Sequence, residues 1–346
     1  MPGLSDSQIS GLTRLLAVAT DPVVRHLEVA LAEDAAGGGA IALVHRLVAR
    51  EAAERRVRGF ALGPVVGLCR PSPWKAVSFP SSVPAKLWIA LKDAAPGMVT
   101  AAEEACGAVA AADDPVNPVF DELCLLAAQG LRNEAKPFEL VAQTLNAADR
   151  EGAVLFASYL DLCPITRAAL RKLPEWLARM SGERAAAAKL SYKDAVALSD
   201  EAGPRYFEIL FASLPEPWQT LRVVSAIMDH PGDRYAAASE LARFGDYILD
   251  DIDRRLAAFK AFDPAQGVAA GKAAGEALHV ASLEIAEFET AIELSKDGPW
   301  GQRIIEQKKL LASSAEARLE QIDKALDAAL PVGWCAWAAA CAGCRS

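Results

Sequence analysis

An all-α fold is predicted by three observations. Apolar residues recur at spacings of three and four through almost the whole chain, which is the helical period. Proline, glycine and aspartate fall between those stretches as stop and start signals. Alanine, the strongest helix former, supplies 71 of the 346 residues. The expected arrangement is a multi-helix N-terminal region of short helices, HEAT-like or an irregular bundle, followed by a long antiparallel three-helix bundle.

The first helix is expected over 5–19, where Ser5 and Gln8 have capping-box spacing. The second runs over 22–35 behind Asp21-Pro22, an acceptor followed by a proline at the first helical position. Gly37-Gly38-Gly39 reads as a link to a third helix over 40–57. Helix then fails across a proline-rich stretch. It resumes over 84–94, 97–111, 117–131, 137–147, 149–161 and 165–179. The chain changes character at SGERAAAAKL, residues 181–190, after which helices are expected over 191–201, 203–213 and 216–229. Leu173-Pro174-Glu175-Trp176 and Leu214-Pro215-Glu216-Pro217-Trp218 lie 41 residues apart, a spacing that suits a HEAT-like repeat, although two copies are not an array.

Three longer helices are expected over 233–262, 265–296 and 301–329. A helix of about 30 residues is roughly 45 Å long, so they imply an elongated bundle. Their seams are Leu241, Phe244, Ile248, Ile252, Leu256 and Phe259, then Leu278, Ala281, Ile285, Phe288 and Ile292, then Ile304, Leu311, Ala315, Leu319, Ile322 and Leu326. Asp263-Pro264 and Asp297-Gly298-Pro299 supply tight antiparallel connections. The expected organisation is therefore a short-helix domain over 1–185, a long-helix bundle over 191–331, and an irregular Cys- and Trp-containing tail over 332–346.

Composition excludes several classes. Hydrophobic residues make up 52%, too many for a disordered chain. No apolar run reaches the roughly 18 residues of a membrane span, so no transmembrane segment is expected. A net charge of -9 argues against nucleic-acid binding, which is mostly electrostatic. The N-terminus has no basic stretch ahead of its short amphipathic helix and does not read as a secretory signal, and Cys69, Cys106, Cys124 and Cys163 are scattered among apolar residues. A cytoplasmic protein with buried free thiols is expected.

Catalytic chemistry finds little footing. There is no nucleophile elbow, phosphate loop or dinucleotide fingerprint. Asp246, Asp250 and Asp253 share one helix face, opposite the Phe244–Ile248–Ile252 stripe, and are expected to face water with Asp250 paired to Arg254. Glu276 and His279 have the spacing of a di-iron ligand pair, but no second such pair exists. No metal or other cofactor is expected; a metal, if bound, would be sought at Cys335, Cys341 and Cys344. Gly267, Gly271 and Gly275 recur every fourth residue, which fits close packing within the chain or a self-association face.

The segment 55–92 stands apart. It holds no acidic residue and seven basic ones, Arg55, Arg56, Arg58, Arg70, Lys75, Lys86 and Lys92, so the remainder of the chain carries -16 against a total of -9. It also holds five prolines together with Phe60, Trp74, Phe79 and Trp88. Irregular segments on rigid scaffolds concentrate binding groups. The expected binding residues are Arg56, Arg58, Arg70, Trp74, Lys75, Lys86 and Trp88. The leading functional expectation is a non-enzymatic helical scaffold or adaptor that binds another protein. The alternatives are a peripheral binder of anions or membrane surfaces through 55–92, and an enzyme with an internal helical cavity.

Overall fold

The computed structural model describes residues 4–35, 38–70, 78–112, 116–147, 150–180, 182–214, 216–229, 232–239, 241–263 and 266–329. The fold is all-α: among the described residues there are helices and no strands, with one isolated parallel bridge between Gly232 and Glu293. The chain divides into two compact units, Met1–Pro217 and Trp218–Ser346.

The first unit opens with α1 (Asp6–Val18), α2 (Asp21–Ala35) and α3 (Gly39–Ala61). Ser5 and Gln8 form the capping box on α1. Val24, Leu27 and Leu31 of α2 meet Val44, Leu47, Val48 and Ala52 of α3, with Leu12 and Leu16 of α1 closing the cluster. Asp21 at the start of α2 pairs with Arg55 near the end of α3, so the two helices form an antiparallel hairpin. A short α4 (Gly63–Val66) and a 3-10 turn (Gly67–Cys69) follow, then α5 (Val83–Ala94), α6 (Pro96–Ala112), α7 (Pro118–Arg132), α8 (Glu139–Asn146), α9 (Gly152–Asp161), α10 (Cys163–Ala178), α11 (Gly182–Val196) and α12 (Ala202–Ala212). Trp88, Phe120, Phe156, Tyr159, Trp176, Tyr206 and Phe207 are all fully buried in this unit.

The stretch 181–190, expected to mark a change of character ahead of a helix at 191, is largely helical: α11 begins at Gly182 and ends at Val196. Four consecutive alanines, 185–188, favour the helix there. Arg184 joins its start to the end of α10 by donating to the carbonyls of Glu175 (3.0 Å) and Arg179 (2.7 Å). The helix expected over 191–201 is therefore the end of α11 and the turn after it.

The second unit holds α13 (Leu221–Ile227), α14 (Asp233–Ala237), α15 (Ala242–Ala261), α16 (Val268–Ala291) and α17 (Pro299–Ala329). Here α15 packs against both α16 and α17. The continuous helix expected over 233–262 is broken between α14 and α15. Ser239 competes with the helical ladder, donating through Oγ to Ala236 O (2.9 Å) and accepting from Leu241 N (3.2 Å). The break frees Asp233 for another task. Its buried carboxylate accepts from the first turn of α17, at Trp300 N (3.2 Å) and Gly301 N (3.0 Å). A β-carbon at Gly298 would fall on that carboxylate, and one at Gly301 on Ser295 O.

The acidic face of α15 is also corrected. It is the docking face for α17. Trp300 Nε1 donates to Asp246 (2.7 Å), Arg303 bonds both Asp250 and Asp253, and Gln307 donates to Asp253 (2.8 Å) and Leu249 O (2.9 Å). Arg254 pairs instead with Asp251, which is buried on the α16 side among Arg255 and Glu284.

Candidate functional site: an arginine-lined cleft

The basic segment is more helical than its prolines imply, because α3 runs on to Ala61. Arg55, Arg56 and Arg58 therefore project from one helix. Arg55 is committed to the fold. It donates to Leu16 O (2.6 Å) and Ala19 O (2.8 Å) at the C-terminus of α1, to Asp21 (2.8 Å), and through Nε to Glu51 (2.7 Å). Burial opposes its charge, but the bonds to Glu51 and Asp21 outweigh that and raise its pKa. Arg56 lies one residue along and is exposed, with a long contact to Glu28 at 3.4 Å. Arg58 is half-buried, and burial followed by the charge of Arg55 holds its guanidinium below the usual range.

Arg56 and Arg70 meet at one place. A cleft of about 370 Å³ over the α2–α3 hairpin is lined by Arg25, Arg55, Arg56 and Arg70, with Asp21 and Glu28 as its carboxylates and Val24, Ala52 and Phe60 as its apolar wall. Four guanidiniums face two carboxylates, which leaves the cleft net positive. Arg25 is exposed on α2 and makes no ion pair or hydrogen bond among the described residues. Phe60 is held from behind, its ring stacked on Phe120 at 6.3 Å between centroids.

The other expected binding residues go elsewhere. Lys86 donates to Thr144 on α8 (2.8 Å), and Lys92 pairs with Glu54 (2.6 Å). Trp88 is fully buried in the core, so it offers no face to a ligand. Phe79 is buried against Phe156 (4.8 Å) and Tyr159 (5.7 Å). Trp74 and Lys75 lie outside the described residues, as do the 332–346 tail and Cys335, Cys341 and Cys344. Among the described residues no group of three or more His, Cys, Asp or Glu is placed to hold a metal ion. Glu276 and His279 are both exposed on α16. Among the described residues open space surrounds Gly267 and Gly275, and Gly271 meets only the ring of Phe262, so none of their backbones packs closely on that face.

Sequence reasoning missed Arg25, Asp21 and Glu28. All three precede the basic segment by more than twenty residues. Folding the helices expected over 22–35 and 40–57 into a hairpin about the triple glycine would have set them beside Ala52, Arg55 and Arg56. A second cleft of about 490 Å³ contains Arg132 and Arg205, but each is already paired, with Asp161 and Glu201 respectively. Guanidinium groups suit carboxylate or phosphate through paired parallel hydrogen bonds, and in the α2–α3 cleft Arg25 makes none to the described residues.

No single helix among the described residues is long and apolar enough to cross a membrane. No family model, curated protein or solved structure matches this chain.

Proposed function

We propose that the protein is a non-enzymatic helical adaptor that holds an acidic segment of another protein in the α2–α3 cleft. The observation that supports this reading is the convergence of Arg25, Arg56 and Arg70 beside an apolar wall of Val24, Ala52 and Phe60. Carboxylates of the partner would pair with the guanidiniums, and an apolar side chain would lie against Phe60. Among its described lining residues the α2–α3 cleft holds arginines, two carboxylates and an apolar wall but no serine, cysteine, histidine or lysine, which favours binding over chemistry.

The test is fluorescence anisotropy with a labelled peptide of alternating Glu and Phe, against a Gln-for-Glu control. Binding of the acidic peptide alone is expected, weakening at least about tenfold between 0.1 M and 1 M salt as the Debye length falls from about 10 Å to about 3 Å. Arg25→Glu with Arg56→Glu is expected to abolish it while the circular dichroism stays helical. Equal binding of both peptides, or unchanged binding by the double variant, overturns the reading. Co-sedimentation with phosphatidylserine vesicles, lost in the same variant and without peptide binding, would assign the cleft to a membrane surface instead.

A further inference from the structure

The charges around the α2–α3 cleft do not play equal parts. Arg55 is committed to Leu16 O, Ala19 O, Asp21 and Glu51, so it gives the cleft charge rather than a hydrogen-bonding fork. Asp21 is taken up by that same arginine. The other three cations of the lining arrive from three separate elements. Arg25 stands on α2, Arg56 on α3, and Arg70 at the end of the 3-10 turn behind α4. All three are exposed. Among the described lining residues the one further carboxylate is Glu28, three residues after Arg25 on α2 and 3.4 Å from Arg56.

Geometry and charge select between the two anions that guanidiniums favour. A carboxylate is planar, offers two oxygens and is filled by a single guanidinium fork. A phosphomonoester is tetrahedral, offers three acceptor oxygens and carries a charge of about -1.5 to -2 near neutral pH. Guanidiniums from three elements suit three oxygens better than two. The described lining residues leave a net charge of +2, from four guanidiniums and two carboxylates. One phosphomonoester dianion neutralises that charge, and one carboxylate leaves half of it. Glu28 adds a further bias. It already gives Arg56 a carboxylate at long range, so an incoming carboxylate exchanges like for like, whereas a phosphate brings the larger charge. The apolar wall of Val24, Ala52 and Phe60 gives a bare inorganic anion nothing to touch. It suits an apolar side chain carried beside the phosphate, on a Phe60 ring that Phe120 backs at 6.3 Å.

We propose that the group held by Arg25, Arg56 and Arg70 is a phosphorylated serine or threonine of the partner protein, with an apolar neighbour lying on Phe60. This rests on the reading of the cleft as a site for an acidic segment, and it narrows the occupant. Each of the three arginines donates to the phosphate, and Arg55 supplies charge from its fixed position. Addition of the phosphate to the partner then switches capture on, and its removal releases the partner.

The test is fluorescence anisotropy of the full-length protein with a labelled peptide, Gly-Ala-Phe-X-Phe-Ala-Gly, in which X is phosphoserine, serine, glutamate or a Glu-Glu pair. The phosphoserine peptide is expected to bind at least about tenfold tighter than the glutamate peptide and the charge-matched Glu-Glu peptide, and the serine peptide not to bind. Arg25→Ala, Arg56→Ala and Arg70→Ala are each expected to weaken phosphoserine binding by at least about tenfold while the circular dichroism stays helical. Inorganic phosphate is expected to displace the peptide only in large excess. Glutamate or Glu-Glu binding as tight as phosphoserine binding overturns this inference and leaves the acidic-segment reading standing; no binding by any of the peptides overturns both. Phosphoserine binding that survives all three substitutions overturns the inference. So does inorganic phosphate that competes at the Kd of the peptide, or co-sedimentation with phosphatidic acid vesicles in the absence of phosphopeptide binding.

Discussion

Single residues in this chain reach far along the sequence to close helix ends, and two of them yield direct predictions. Arg167 serves α3, α7 and α10 at once by satisfying Phe60 O, Ala61 O and Asp121. Arg167→Met removes this donor from Phe60 O and Asp121 and leaves Ala61 O with only the Cys124 thiol. A loss of about 3 kcal/mol is expected in urea unfolding, at the low end for a buried pair because Asp121 keeps some water. Tyr206 is held by burial, its phenol pushed up to about 12 although its hydroxyl bonds to Ser191 at 3.0 Å. The unfolded chain releases that proton near pH 10 and the folded chain does not, so the stabilisation is complete below pH 10 and disappears by about pH 12. Tyr206→Phe is expected to be less steeply destabilised across that window than the parent, measured as unfolding midpoints against pH. A part of the candidate site was readable at this scale and most was not. The absence of acid from 55–92 pointed to Arg56 and Arg70 because charge contrast is visible in one dimension. Arg25 was invisible because its place depends on a hairpin. Lys86 and Trp88 shared the charge run, yet α5 turns Trp88 into the core and Lys86 toward Thr144.

Among the elements, α17 shows how a helix can be specified by what lies beneath its first turn. Asp233 caps it from another helix, and Gly245 of α15 leaves room for the Trp300 ring, which a β-carbon there would strike. Gly245→Ala is expected to cost about 1–3 kcal/mol through overpacking, and Asp233→Ala about the same through lost capping of a buried end. Asp233→Asn, which keeps an acceptor, is expected to recover part of that loss; chemical denaturation of the three variants checks the order. Periodicity made the seams of α15 and α16 legible, and the observed α16 and α17 lie close to the expected spans, but the seam expected on α17 fails at Leu319, which is exposed. It did not expose the α14–α15 break, because Tyr235 through Phe244 keep helix-compatible spacing and the interruption comes from one serine hydroxyl. Nor did it show that Asp246, Asp250 and Asp253 would be covered. An acidic stripe looks solvated until the arginine and tryptophan of another helix are known to face it.

For the whole molecule, division into two compact units predicts two unfolding events. Differential scanning calorimetry is expected to resolve two transitions, with Gly245→Ala moving only the one that belongs to Trp218–Ser346 and Arg167→Met only the other. A single transition shifted by both variants would contradict this. The cap on α17 has a consequence for how the second unit assembles. Asp233 and Gly301 are 68 residues apart in sequence, and the only bridge outside the helices joins Gly232 to Glu293 among the described residues. Helical bonds close over four residues; these close only after α15 and α16 have formed and the chain has returned. The entropy of closing a long loop grows slowly with length, about 0.6 kcal/mol per doubling, but it must be met before the contact rewards it. The five-residue α14 is too short to persist alone, so its order is borrowed from a helix made last. A ribosome releasing this chain would have to finish α17 before the segment at Asp233, already long emerged, could settle.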